Sequence, residues 1–212
     1  MKDTCYKVLD CSNFNEINAD LLDYVTKYTN LLTNDPRTGV EFEMPVQYAN
    51  FPERFGYSIV HFVKANPGFV DWCKSFGLVL RDVYFTLAWV THTTQHPESS
   101  CALHLDRPPV HWKLNWPILN MNGTAVRFYK AKDPAVDIAS LVTKTGIIGS
   151  KDREGWSLEY KDFVEIDKHI FDNTPIIMNG QLPHDVGFLN VNQIFPRIGV
   201  QGMFVREPDY LL

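Results

Sequence analysis

The sequence predicts a mainly β fold, a sandwich or barrel of short strands preceded by helices. Three observations predict it. An apolar stripe at helical spacing lies near the N-terminal end, the period switches to two from Leu78, and short strand-like runs then follow without long helices between them. With 212 residues and no linker, repeat or low-complexity tract, the chain reads as a single domain, 1–212. Residues 1–80 form a helical support and 81–206 the β core, which carries a polar insertion at 131–157.

The elements follow in order. In INADLLDYVTKYTNLL, Ile17, Leu21, Val25, Tyr28 and Leu32 make one face of a helix, which Asp35-Pro36 and Gly39 end. After the irregular, aromatic VEFEMPVQYANFPERFGY, Asn66-Pro67 offers a cap followed by proline at the first helical position. Phe69, Val70, Cys73 and Phe76 form that helix's packing face, and Gly77 suits its end. RDVYFTLAWVTH alternates, with Val83, Phe85, Leu87 and Trp89 on one face and Tyr84, Thr86 and Ala88 on the other. KLNWPILN and TAVRFYKA read as two strands joined as a hairpin around Asn122-Gly123. The insertion is glycine-dotted, with AVDIASLV as a short helix. LEYKDFVEI, TPIIMN, HDVGFLN and RIGVQGMF supply four more strands.

Composition narrows the partners. A net charge of −5 without a basic stripe argues against holding nucleic acid by phosphate neutralisation. No run reaches the roughly 18 to 20 apolar residues of a membrane helix, and the opening MKDTCYKVLDCSNF lacks the apolar core of a signal peptide. Cys5, Cys11, Cys73 and Cys101 form no CxxC pair. The expectation is a cytoplasmic protein with reduced thiols.

His104-Leu105-Asp106 is the first candidate site. Residues two apart on a strand share a face, which places an imidazole beside a carboxylate about 7 Å apart at the backbone, a workable spacing for one metal ion. Spacing alone proves little. Seven histidines and sixteen aspartates in 212 residues yield about half a His-x-Asp by chance. The rival His96-Pro97-Glu98 has loop flanks, whereas His104 and Asp106 sit among apolar residues where an uncompensated carboxylate is costly to bury. A third ligand has to come from elsewhere, and His184, at a strand start after Pro183, is best placed. His61, His92, His96, His111 and His169 are less so. Arg197, thirteen residues past His184, interrupts a run otherwise set for a buried strand. Its planar fork matches a carboxylate, either a ligand's or an internal aspartate's. Arg107, His111 and Lys113 cluster beyond the metal pair, facing an acidic substrate or balancing acidic neighbours.

Taken together, HLD at 104–106, LNWPILN at 114–120, RFY at 127–129, LPH at 182–184 and PRIGVQGMF at 196–204 resemble the double-stranded β-helix (a jelly roll, cupin-like) of iron- and 2-oxoglutarate-dependent oxygenases. The resemblance covers roughly residues 80 to 204. It implies His104, Asp106 and His184 as ligands of Fe(II) in a facial triad with open positions, and Arg197 as the anchor of the distal carboxylate of 2-oxoglutarate. With O2 as the other substrate, it implies release of succinate and CO2. Because Asp106 is present, it implies hydroxylation, desaturation or demethylation rather than halogenation. Where related enzymes often carry Ser or Thr two residues past the arginine, this chain has Gly199. Asn115, Tyr129 and Gln201 are the candidate replacements, Asn115 foremost because an asparagine in an apolar strand needs a partner. The implied substrate is a small molecule or a peptide side chain, selected by the insertion and the 40–60 region. Two alternatives stand beside this reading: a cupin-type metal-dependent isomerase or hydrolase, and a non-catalytic jelly-roll binding module.

Overall fold

Side-chain alternation along the strand runs gives each strand two distinct faces, and the chain layers accordingly. The structure is a computed structural model that describes residues 4–29, 46–50, 59–88, 99–106, 111–146, 154–189, 194 and 197–206. Leu32, the Asp35-Pro36 break, Gly39, Trp89, His92, the His96-Pro97-Glu98 rival and Arg107 lie outside the described residues, as do the side chains of Tyr28, His61 and Cys101.

Among the described residues, two six-stranded antiparallel sheets face each other. One holds β1 (Tyr6–Val8), β10 (Ile176–Asn179), β5 (Trp112–Leu119), β12 (Arg197–Phe204), β3 (Leu80–Ala88) and β2 (Val46–Asn50), in that order. The other runs β7 (Thr143–Gly146), β8 (Glu154–Ser157), β4 (Ser99–His104), β11 (His184–Phe188), β6 (Thr124–Ala131) and β9 (Phe163–Ile170). Following the chain from β3 to β6, each strand enters the sheet opposite its predecessor, and β9 to β12 alternate again. That order is the double-stranded β-helix.

One expectation changes here. β5 and β6 are strands, and Gly123 does turn with φ +82°, but they do not pair as a hairpin. β5 pairs with β10 and β12, β6 with β11 and β9. The turn carries the chain from one sheet to the other.

The helices cover the back of the first sheet. α1 (Phe14–Thr29) and α3 (Pro67–Ser75), with α2 (Ile59–Ala65) between them in sequence, bury Ile17, Leu21, Tyr24, Val25, Phe62, Phe69, Trp72 and Cys73 against Val83, Phe85, Leu114, Trp116, Ile198 and Val200. Trp116 is the centre of this layer. Phe14 stacks on it at 4.9 Å and Trp72 meets it edge-on at 4.9 Å, while its Nε1 donates to Asn18 at 3.0 Å. A buried aromatic of this kind contributes about 1.5–3 kcal/mol. Asn66 caps α3 differently than expected: its side-chain amide donates back to the Phe62 carbonyl at 3.0 Å and makes no bond to the α3 N-terminus. β1 and β2 add strands within the region expected to be helical. No helix of the described residues is long and apolar enough to cross a membrane.

Because Leu114, Trp116, Ile198 and Val200 face the helices, Lys113, Asn115, Arg197, Gly199 and Gln201 face inward, toward the second sheet. Part of that interior is an apolar plug of Met121, Val126, Phe128, Phe171, Ile176 and Met178. The insertion forms α4 (Ile138–Leu141) and the strands β7 and β8, which extend the second sheet beside β4. A third cluster, Leu103, Tyr129, Leu158 and Phe163, lies on that sheet's outer face.

His169, on β9, is buried between Tyr6 and Phe171 at ring distances of 5.0 and 5.5 Å, and its Nε2 makes no hydrogen bond. Burial lowers its pKa below the usual value, only partly opposed by Asp172 and Asp167. The native state therefore holds fewer protons than the unfolded chain below about pH 6.5, and His169's contribution to stability is lost as pH falls through that range. Urea midpoints measured from pH 7.5 to 5 should decline less steeply for His169→Phe than for the wild type.

Candidate metal centre

His104 closes β4 and His184 opens β11, and the two are directly opposite each other in the register of that antiparallel pair. Cross-strand partners point to the same face, so their rings meet with centroids 4.3 Å apart. Asp106 follows two residues past His104, just beyond the strand end. One ligand atom from each of the three side chains falls within 4.8 Å of the others. His104 Nε2 is 3.9 Å from Asp106 Oδ1, and His184 Nε2 is 3.8 Å from Asp106 Oδ2.

The turn between β10 and β11, Asn179 to Pro183, holds these donors in place. The Asp106 N–H donates to the Gly180 carbonyl at 2.9 Å, Gly180 N–H donates to the His111 carbonyl at 2.6 Å, and the Gln181 amide donates to the Asp106 carbonyl at 3.3 Å. Gly180 is there for space. A Cβ at this residue would lie 2.3 Å from Asp106 Oδ2. The same turn sets the tautomer of His184: its Nδ1 lies 2.8 Å from the Leu182 carbonyl, which can only accept, so Nδ1 carries the hydrogen. The Nε2 lone pair is left facing Asp106. This is the arrangement in which a buried histidine is ready to bind a metal.

Electrostatics agree with that state. Burial, with His104 and Lys113 beside it, holds the His184 imidazole well below its ordinary range, against the pull of Asp106 and the Leu182 carbonyl. For Asp106, burial raises the pKa, but Lys113, His184 and His104 outweigh it and hold the carboxyl down at about 2. The centre is thus two imidazoles, His184 neutral, and one carboxylate. Asp106 Oδ2 is buried and accepts no hydrogen bond of good geometry. Its nearest cation is Lys113 Nζ at 2.6 Å. A buried carboxylate oxygen so placed is suited to a metal ion.

The other expected site residues divide. Arg197 opens β12 opposite Ala88, is 6% exposed, and stands on the inward face. Asn115 and Gln201 are directly opposite each other in the β5–β12 register, on that same face. Tyr129 is a correction. It shares its strand face with Arg127, and Phe128 between them is the residue opposite His184. Tyr129 therefore lies on the outer face of the second sheet, where its hydroxyl lies 3.3 Å from Asp185 Oδ2. It cannot reach a ligand bound beside His184.

Two residues not foreseen in a fixed role belong to the centre. Gly180 carried no signal beyond its place in a turn. Lys113 was read only with Arg107 and His111, as facing an acidic substrate or balancing acidic neighbours; its alternation with Leu114 and Trp116 is the signal that points it inward.

No family model matches the sequence, and no curated protein matches it. Solved structures do. A Pseudomonas putida prolyl-4-hydroxylase is 12% identical with a TM-score of 0.40, over 96% of this chain and 93% of that one. The non-haem alpha-ketoglutarate-dependent epimerase SnoN of nogalamycin biosynthesis is 14% identical at 0.47, over 95% and 78%. AviO1 from Streptomyces viridochromogenes Tue57 is 12% identical at 0.45, over 98% and 93%. Likenesses this slight carry nothing about chemistry, which has to follow from the site's own geometry. The strand order itself is plain: this chain is a double-stranded β-helix, with His104, Asp106 and His184 drawn together where β4 meets β11.

Proposed function

We propose that the protein is an Fe(II)- and 2-oxoglutarate-dependent oxygenase that hydroxylates a small molecule or an amino-acid side chain. The observation that carries this is the convergence of His104, Asp106 and His184, two imidazoles and a carboxylate with one ligand atom each within 4.8 Å of the others, a donor set suited to non-haem Fe(II). The donors fit the ion in kind, and the buried Oδ2 of Asp106 fits it in placement.

His104, Asp106 and His184 would hold the iron, and Arg197 would hold the distal carboxylate of 2-oxoglutarate. When bound, iron and 2-oxoglutarate together supply the oxidising power toward a substrate C–H bond, with succinate and CO2 as by-products. The chain's own part is to bind and orient. His184 keeps its Nε2 lone pair aimed by donating Nδ1–H to Leu182. Gly180 leaves room for the Asp106 carboxylate. Arg197 offers a planar, bidentate carboxylate partner on the inner face, with Asn115 and Gln201 on the same face as hydrogen-bonding groups. β8, part of the insertion, pairs with β4 where Ser157 is opposite His104, and the insertion would help to select substrate.

Purified protein given Fe(II), 2-oxoglutarate and oxygen should form succinate, even without its substrate. Under anaerobic conditions, Fe(II) with 2-oxoglutarate should develop a visible charge-transfer absorption. His184→Ala should lose that absorption and lower succinate formation by more than about 100-fold. A wild type showing neither signal would overturn the proposal. Oxygen-indifferent turnover with zinc would point instead to a metal-dependent isomerase or hydrolase.

A further inference from the structure

Lys113 is the most unusual residue of the centre. It projects inward from β5 with its side chain 5% exposed, and Met178 of β10 lies opposite it in the register. Its Nζ lies 2.6 Å from Asp106 Oδ2 and 3.5 Å from His184 Nε2. These two atoms are themselves 3.8 Å apart. The ammonium therefore stands against the same donor atoms that a metal would bind.

Resting on the metal-centre reading above, we propose that Lys113 is a built-in counter-cation that stands in for the metal, so that loading the site exchanges one cation for another. The chemistry behind this is simple. A buried carboxylate needs a positive partner, and without metal Asp106 has one in Lys113. Asp106 and His184 would hold a divalent ion through the same two atoms that now face the Lys113 ammonium, so the ammonium would have to give way. Lys113 cannot leave for solvent easily, because its stem is enclosed on β5. It thus does two opposing things: it stabilises the metal-free protein, and it weakens the site's hold on metal. The fold gains a centre that stays formed when empty.

An ordinary structural ion pair shares only the first of these effects, and the second discriminates. Lys113→Met and Lys113→Gln remove the charge while keeping most of the length. Both variants and the wild type, freed of metal, are titrated with Mn(II) alone by calorimetry, and their thermal unfolding is followed with and without Mn(II). The variants are expected to bind Mn(II) at least tenfold more tightly than the wild type. Metal-free, they are expected to melt lower, and to recover more on adding Mn(II). Equal or weaker Mn(II) binding by folded variants overturns the proposal while leaving the metal centre standing, because it makes Lys113 a support of Asp106. Variants folded only in the presence of Mn(II) support it, since the ion then replaces the lost charge. Variants folded in neither condition overturn it. Absence of Mn(II) binding by wild type and variants alike overturns the metal centre itself, and the exchange with it.

Discussion

Asp185→Ala is expected to destabilise the protein by about 3–5 kcal/mol, the cost of leaving a buried charge without its partner. Asp185 is fully enclosed on β11, and its two carboxylate oxygens accept from Arg127 Nε at 2.9 Å and Nη2 at 2.5 Å. Tyr160 donates to Oδ2 at 2.6 Å, with the Tyr129 hydroxyl at 3.3 Å. Arg127 is 9% exposed and cannot regain water when the carboxylate is removed. The pair itself contributes less than its loss costs, because both charges were desolvated to form it. Arg127→Leu combined with Asp185→Leu should therefore lose clearly less stability than Asp185→Ala alone. Urea unfolding of the metal-free proteins measures both. If Asp185→Ala falls within 1 kcal/mol of the wild type, the guanidinium has another means of support and the argument fails.

This cluster also shows what was legible in the sequence and what was not. His184 and Asp185 are neighbours on a strand, so one had to face the interior between the sheets and the other had to face away. The apolar Val126 and Phe128 likewise marked the inward face of β6, which puts Arg127 and Tyr129 on the outer one. Tyr129 was misplaced because its chemistry was weighed before its parity. Alternation is legible on β5 and β12, where Leu114, Trp116, Ile198 and Val200 pack on the helices and leave Asn115, Arg197 and Gln201 inward.

Pairing was harder to read than strand existence. Asn122-Gly123 encodes a tight reversal, and the chain does reverse there, but turn chemistry does not say whether the next strand joins the same sheet. In this fold it joins the opposite one, a choice made by contacts with β11 and β9 far along the chain. His104, Asp106 and His184 were singled out despite the same ignorance, and the fold brings the three together. His184 is buried and His104 and Asp106 are half-buried, polar groups set among apolar neighbours in the sequence. What the sequence could not carry was the approach of one segment to another: Lys113 to Asp106, and Gly180 to the same carboxylate.

Gly180→Ala tests that last approach, and is expected to lower divalent-metal affinity by roughly 10- to 100-fold, the scale of losing support behind a metal ligand. The residue's φ is outside the left-handed region, so alanine suffers no backbone strain there and only space opposes it. The opposing atoms are Asp106 Oδ2 at 2.3 Å and its Cβ and Cγ at 3.0 Å. The two backbones cannot separate cheaply, because the Asp106 N–H is bonded to the Gly180 carbonyl. The carboxylate has to turn, and turning takes it away from His184 and His104. Gly187→Ala is the natural control. Its Cβ would meet the Arg127 guanidinium at 2.5 Å, on the far face of β11, so it should cost stability with little change in metal affinity. Mn(II) titration of the two variants separates them. Wild-type affinity in Gly180→Ala would mean that Asp106 has room to spare, and that the turn does not hold the third ligand in place.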